Sequence, residues 1–85
     1  MARALTLQRK IVPQSERARY LERVRLRQAY YERAGCTFYI FEEAELPGAF
    51  IEFTEATDRK VLAAAHASAP DPLLDARRIY QAVEL

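Results

Sequence analysis

The chain has 85 residues, of which 51% are hydrophobic and 29% charged, and its formal net charge is +1. This length indicates a single domain over residues 1–85, and this balance is typical of a globular protein and not of a disordered one. A net charge so close to zero does not favour a nucleic-acid-binding protein. The single cysteine, Cys36, excludes an internal disulfide and disfavours a cysteine-based metal site.

The sequence carries no sign of a membrane segment. No apolar run approaches the roughly 20 residues that span a bilayer. Residues 1–5, Met-Ala-Arg-Ala-Leu, lack the apolar stretch of a signal peptide. A chain without a disulfide suits a reducing compartment. We therefore expect a cytoplasmic protein with no membrane partner.

The first predicted elements are a strand and a long helix. Residues 4–12 alternate between apolar and polar side chains, which predicts a strand that ends before Pro13. Ser15 is a good helix N-cap, and no Pro or Gly occurs from there to Ala34. Gly35 follows where a left-handed C-cap is expected.

Two further strands are predicted to form a hairpin. Residues 36–41 are aromatic and β-branched, with Phe38 and Ile40 on one face and Tyr39 and Phe41 on the other. This strand is apolar on both faces, which is typical of a strand covered on both sides.

The returning strand of the hairpin spans residues 49–54, after a Pro-Gly turn. Ile51 and Phe53 share one face of it, and Phe50 shares the other with Glu52.

The last part of the chain predicts a second helix and a final strand. Thr57 or Asp58 caps a helix over residues 59–68. A helical turn is expected at residues 73–77, after Pro70 and Pro72, and a strand at residues 79–85.

The predicted order is β-α-β-β-α-β, an α+β domain of the ferredoxin-like type with both helices on one face of an antiparallel sheet. Residues 36–41 and Phe50 are expected to leave an apolar opposite face. A monomer rarely exposes such a patch. The simplest cover is a second copy, so we expect a homodimer through the sheet faces.

Three segments resemble the antibiotic biosynthesis monooxygenase family of the dimeric α/β barrel superfamily. They are residues 33–42, Arg-Ala-Gly-Cys-Thr-Phe-Tyr-Ile-Phe-Glu, residues 47–55, Pro-Gly-Ala-Phe-Ile-Glu-Phe-Thr-Glu, and residues 65–68, Ala-His-Ala-Ser. The resemblance spans roughly residues 5–85. It implies a sheet-to-sheet homodimer, with a pocket in each protomer between helices and sheet for a small, partly apolar or aromatic molecule.

The resemblance also implies a reaction class. Some members oxygenate aromatic polyketides without a metal or flavin, others degrade heme, and others isomerise small molecules, so we expect no cofactor and either monooxygenase-like or isomerase-like chemistry. The chain contains no Asn and no Trp, on which the heme-degrading and polyketide-oxygenating members rely. The alternative is therefore a non-catalytic ligand-binding or assembly module of the same fold.

Five residues form the candidate site. His66, the only histidine, and Tyr39 are the candidate catalytic residues, and Tyr31, Phe38 and Ile51 are the candidate ligand contacts. A histidine titrates near neutrality and can act as a general base, but it can equally be an ordinary, half-exposed helix residue. The tyrosines can orient a ligand, or they can pack in the core or an interface.

Charge is unevenly distributed along the chain. The first helix carries a net charge of +3, and residues 42–58 carry −6 with no basic residue. These can be two solvated surfaces with partial ion pairing, or the arginines can attract phosphate or another anion. An RNA-binding sheet would need basic residues where residues 49–55 have acidic ones, so no nucleic-acid partner is expected.

Overall fold

A computed structural model describes residues 2–71, 73 and 75–85. Within them the chain forms two helices and a four-stranded antiparallel sheet, which confirms the α+β prediction. The helices are α1, Arg17–Arg33, and α2, Arg59–Ala67. The strands are β1, Ala4–Ile11, β2, Thr37–Glu42, β3, Ala49–Ala56, and β4, Tyr80–Gln81.

The sheet has the order β2-β3-β1-β4, with antiparallel pairing between all neighbours. β1 and β3 lie in the middle and pair along their whole length, from Ala4 opposite Ala56 to Ile11 opposite Ala49. Their alternate side chains therefore point to the two faces of the sheet. The core lies on the face that the helices cover.

Local chemistry explains where most elements begin and end. The Asp58 carboxylate accepts hydrogen bonds from the Lys60 and Val61 amides, so it is the N-cap of α2. Gly35 has φ +85°, as predicted for the residue that ends α1. Gly48 in the hairpin has φ +93°, and its amide donates to the Glu42 carboxylate at 2.8 Å.

Two predicted boundaries are wrong. Ser15 does not cap α1, because it lies inside a 3-10 turn, Gln14–Glu16, that follows Pro13, and the helix begins at Arg17 with no side-chain cap. The last strand is two residues long instead of spanning residues 79–85. Its partner strand begins only at Ala4, and the Ala82 amide bonds the Arg3 carbonyl at 2.8 Å just beyond β4.

The expected helical turn at residues 73–77 includes Leu74, which lies outside the described residues, as does the predicted helix breaker Pro72.

The predicted orientation of β3 is also wrong. Phe50 is 3% exposed and lies beneath α1, where its ring packs against that of Tyr20 at 4.7 Å. The apolar side chains of β3 that lie on the uncovered face are Ile51 and Phe53. The side chains of β3 alternate as predicted, but the face that was expected to be uncovered is the buried one.

Candidate functional site

Glu52 is a buried carboxylate on β3, beneath α1. Its residue is 2% exposed, and both carboxylate oxygens are hydrogen-bonded. Arg27 donates to them at 2.9 and 3.2 Å. Tyr20 Oη and Gln8 Nε2 each donate at 2.7 Å. Four donors therefore surround one carboxylate, which is the environment that a buried charge requires.

Two elements bring these donors together. Gln8 lies directly opposite Glu52 in the β1–β3 register. Tyr20 and Arg27 lie seven residues apart on α1, hence on one face of the helix, in the same stripe as Val24 and Tyr31. The stripe faces the sheet, so α1 delivers a phenol and a guanidinium to the same carboxylate.

Electrostatics hold this cluster in its charged form. Burial raises the pKa of Glu52, but the hydrogen bonds from Arg27, Gln8 and Tyr20, together with the charge of Arg27, outweigh burial and lower the pKa of Glu52 overall. Burial, and then the neighbouring carboxylate, raise the pKa of the Tyr20 phenol. Glu52 and Arg27 are therefore ionised at neutral pH, and Tyr20 is a neutral hydrogen-bond donor.

Arg27 has one nitrogen left over. Its guanidinium lies over the Phe38 ring, with Cζ 4.9 Å from the ring centroid. Its Nε is buried and makes no hydrogen bond with the part of the chain that the structure describes. Arg27 therefore retains an unused donor although its other nitrogens are engaged.

His66 belongs to a second polar cluster, which lies between α2 and the sheet. Its Nε2 lies 2.7 Å from Thr6 Oγ1, and its Nδ1 lies 2.9 Å from Tyr31 Oη. The Tyr31 ring stacks on Phe38 with centroids 5.4 Å apart. His66 is 6% exposed and is therefore not the half-exposed helix residue of the simpler interpretation.

This histidine is a neutral group at neutral pH. Burial, followed by the charge of Arg27, lowers the pKa of His66. Burial raises the pKa of Tyr31 to about 12. A neutral imidazole has one N–H donor and one acceptor, and both nitrogens face hydroxyl groups. The arrangement can hold a proton between three groups, but all three are sealed from solvent.

A solvent-accessible cleft lies between α1 and β1. It encloses about 260 Å³. Gln8, Tyr20 and Arg27, three of the partners of Glu52, lie along it. The other lining side chains are Lys10, Ile11, Val12, Pro13, Glu16, Arg19, Arg23 and Asp71. The cleft therefore reaches from solvent to the buried ion pair, and basic side chains predominate in its lining.

The structure divides the five predicted site residues between two faces of the sheet. His66, Tyr31 and Phe38 lie together beneath the helices. Tyr39 and Ile51 lie on the uncovered face, where Tyr39 stacks on Phe53 with ring centroids 5.1 Å apart. A single pocket between helices and sheet does not contain all five.

Sequence reasoning missed the Glu52 cluster. The available signal was Arg27, which falls at helical spacing from Tyr20, Val24 and Tyr31 in an otherwise apolar stripe. A charge at such a position needs a buried partner, and an acidic residue inside the hairpin strand could have supplied it.

The uncovered face is apolar and aromatic. Tyr39, Phe41 and Phe53 form a mutually packed group, with ring centroids 5.1 to 5.8 Å apart. Leu7, Ile11 and Phe41 are among the exposed large apolar side chains. We call this surface the open face and define it as Leu5, Leu7, Arg9, Ile11, Tyr39, Phe41, Ile51 and Phe53.

Other chemistry is limited. Cys36 is buried, and burial raises the pKa of its thiol, as expected for a structural cysteine. No group of three or more potential metal ligands occurs in residues 2–71, 73 and 75–85. No helix among these residues is long and apolar enough to cross a bilayer.

The arginines of α1 are mostly paired. Arg17 binds Glu42 through two hydrogen bonds, of 2.6 and 2.9 Å, and Arg25 contacts Glu22 at 3.0 Å. Arg19 and Arg33 are different, because neither makes a hydrogen bond or ion pair with the described residues, and only Arg19 of the two lines the cleft. The partial pairing agrees with a solvated surface, except at the cleft.

Comparison with known proteins adds no relative, because no protein-family model, no curated protein and no solved structure matches the chain. The resemblance to the antibiotic biosynthesis monooxygenase family therefore stays a prediction.

Proposed function

We propose that the chain is a homodimeric small-molecule-binding protein of the ferredoxin-like, antibiotic biosynthesis monooxygenase type. Its ligand is a small, partly apolar molecule that enters the cleft between α1 and β1. The strand order β2-β3-β1-β4, with a helix after β1 and another after β3, supports the split βαβ arrangement.

The open face supports the homodimer. The domain is only 18 Å thick along its shortest axis, which corresponds to one helix layer on one sheet. No described residue forms a second layer on the other side of the sheet, and Phe41 and Ile11 are 59% and 69% exposed there. Large exposed apolar surfaces mark interaction sites.

The composition of the open face favours a second copy as its occupant. Arg9 and Glu55 lie toward opposite ends of this face, and both are paired within the protomer, Arg9 with Glu43 and Glu55 with Arg3. Its aromatic groups can therefore meet those of a second copy related by a twofold axis without bringing unpaired like charges together.

The observation that carries ligand binding is the cleft that leads to Glu52. Ligand sites combine an apolar wall with a few fixed polar groups. Val12 and Pro13 form the apolar part of this cleft, and the hydrogen-bonded Tyr20 and Arg27 form the rigid polar part. Because Glu52 already holds Tyr20 and Arg27 in place, a ligand would meet groups that need no reorganisation.

The positions of the two candidate catalytic residues favour ligand binding without catalysis. A general base must reach the proton that it removes. The His66 side chain is buried between α2 and the sheet, and both of its ring nitrogens are hydrogen-bonded. Tyr39 lies on the other face of the sheet.

Cofactor-independent oxygenation or isomerisation is the second candidate function. One observation favours it, namely that His66 is neutral and hydrogen-bonded to the Tyr31 hydroxyl at 2.9 Å. Turnover would then require α2 to move and expose His66.

Solution mass tests the homodimer. Light scattering after size-exclusion chromatography should give about twice the protomer mass of 9.8 kDa. Phe41→Asp should shift the protein toward the monomer, because it places a charge in the apolar interface. Leu26→Asp is the matched control, since Leu26 is 67% exposed but lies on α1.

A monomeric wild-type protein, or equal dimer weakening by both variants, would contradict the paired sheet faces. Circular dichroism of each variant should show unchanged helix content, so that loss of the dimer is not mistaken for unfolding.

A further inference from the structure

The cleft between α1 and β1 carries more positive charge than its ion pairs compensate. Two of its four basic side chains have acidic neighbours. Arg27 is paired with Glu52, and the Arg23 Nη2 atom lies 3.5 Å from the Asp71 Oδ1 atom. Lys10 and Arg19, the other two, make no hydrogen bond or ion pair with the described residues. Glu16 is the only remaining acidic lining residue.

Regular secondary structure sets the positions of Lys10 and Arg19. Lys10 is close to the end of β1, and Arg19 is in the first turn of α1. They therefore approach the cleft from the sheet side and the helix side. Arg19, Arg23 and Arg27 are spaced by four residues, so they follow one line along the helix toward the interior.

A second observation points to a ligand with acceptor atoms. Arg27 is 8% exposed and lines the cleft, and its Nε–H donor makes no hydrogen bond in the part of the chain that the structure describes. A buried donor without a partner is costly, and such groups normally have an acceptor. The cleft thus combines Lys10 and Arg19, which are unpaired among the described residues, with the buried guanidinium of Arg27.

The apolar part of the cleft sets the rest of the ligand. Val12 and Pro13 follow in the chain shortly after Lys10 and line the same cleft. The volume of about 260 Å³ is below the roughly 300 Å³ at which sites for drug-sized ligands begin. A molecule with one ring or a short chain is of suitable size, and an inorganic ion would leave the apolar wall unused.

We propose that the cleft binds a small organic acid, with its carboxylate between Lys10 and Arg19 and its apolar part against Val12 and Pro13. This assignment rests on the proposed function, because it names the class of ligand for the same cleft. It separates a carboxylic acid from the neutral aromatic molecules that the family resemblance alone allows.

The experiment is an NMR titration of the dimeric protein with three probes. Phenylacetate carries the ring and the carboxylate, phenylacetamide carries the ring without the charge, and inorganic phosphate carries charge without the ring. Amide and arginine Nε–H signals are followed with about 10 mM probe, enough to populate a site with a Kd of about 1 mM.

Phenylacetate is expected to shift the signals of Tyr20 and Arg27 and to bind at least about tenfold more tightly than either other probe. Arg19→Gln and Lys10→Gln should each weaken phenylacetate binding about fivefold, a loss typical of a partly exposed charge pair. They should leave phenylacetamide binding unchanged. Arg25→Gln is the matched control, because Arg25 is on the same helix but outside the cleft.

Each other result overturns a definite part. Equal binding of phenylacetate and phenylacetamide at the cleft would contradict the organic-acid assignment and leave the proposed small-molecule function intact. Phosphate binding as tightly as phenylacetate would make the cleft an inorganic anion site. If phenylacetate shifts no cleft signal, both the acid assignment and ligand binding at this cleft are wrong, whereas the dimer stands on its own measurement.

Discussion

The two faces of the sheet differ in an unusual way, because several polar side chains are buried on one face and large apolar side chains are exposed on the other. The face beneath the helices holds Glu52, Gln8 and Thr6, each with hydrogen-bond partners, and Thr6 contacts His66 of α2. The open face holds the half-buried Phe53 and the exposed Leu7, Ile11 and Phe41. Glu52 and Phe53 are neighbours in the chain, yet the carboxylate is buried and the ring is the more exposed of the two.

The orientation of β3 therefore follows the hydrogen-bond partners that α1 offers to Glu52, and not the hydropathy of the strand. A one-residue shift in register would turn Ile51 and Phe53 toward the helices and expose Glu52. The observed register is instead the one in which Arg27 and Tyr20 meet a carboxylate. The open face then keeps its apolar groups, which a second sheet can cover.

The largest expected effect is at the buried ion pair. Glu52→Ala should lower the free energy of unfolding by about 3–5 kcal/mol, because it leaves Arg27 buried without a counter-charge. Glu55→Ala is the matched control on the same strand and the opposite face, where a partly exposed ion pair with Arg3 should be worth less than about 1 kcal/mol. Urea denaturation at fixed protein concentration measures both.

Equal losses of unfolding free energy for the two glutamates would contradict the difference between the two faces. The double variant Arg27→Met/Glu52→Leu tests the ion pair directly. Replacing a buried pair by apolar side chains removes the uncompensated charge, so this variant should recover much of the stability that Glu52→Ala loses.

The next effect separates two aromatic residues of β2. Phe38 is 2% exposed and Phe41 is 59% exposed. Phe38→Ala should destabilise the fold by about 3 kcal/mol through lost packing and the cavity left behind. Phe41→Ala should change the unfolding free energy of the dilute monomer by less than about 1 kcal/mol while it weakens the dimer.

Urea denaturation of both variants, with light scattering over a range of concentrations, distinguishes these outcomes. A loss for Phe41→Ala as large as that for Phe38→Ala in the dilute monomer would mean that the open face is part of the monomer core.

The smallest effect is the response to mild acid. His66 has a lowered pKa in the folded protein, so the unfolded chain binds its proton first as pH falls below the ordinary value of 6.5. Stability should therefore decline as pH falls below 6.5, because burial and then the charge of Arg27 disfavour the protonated imidazole in the folded protein. Glu52 contributes later, because its lowered pKa makes stability fall below its ordinary value of 4.5.

His66→Gln should flatten the decline that begins below pH 6.5 and leave in place the loss below pH 4.5 that comes from Glu52. The measurement is the urea midpoint as a function of pH. An unchanged slope in this variant would show that His66 is not the group that titrates.

Much of the fold could be predicted from local signals. The strand–helix–strand–strand–helix order, the end of α1 at Gly35 and the Asp58 cap depend on backbone preferences that neighbouring residues reveal. The Ser15 cap failed because Pro13 begins a 3-10 turn that Ser15 joins. The length of β4 failed because pairing depends on where the partner strand begins.

The candidate site was predictable only in part. His66, Tyr31 and Phe38 are brought together, as helix periodicity and strand alternation allowed. Tyr39 and Ile51 are on the opposite face, because the inward face of β3 was chosen by hydrophobicity. The Glu52 cluster joins residues 25 to 44 positions apart, and no local pattern couples them.

The sequence by itself determined which segments become helices and strands and which side chains share a face, since both follow from backbone periodicity and local caps. Only the tertiary structure decided which face of the sheet is buried. That choice depends on whether α1 offers apolar surface or hydrogen-bond donors at the contact, and Arg27 and Tyr20 make it a place for a carboxylate. The cleft above that carboxylate, and the open face on the other side, both follow from it.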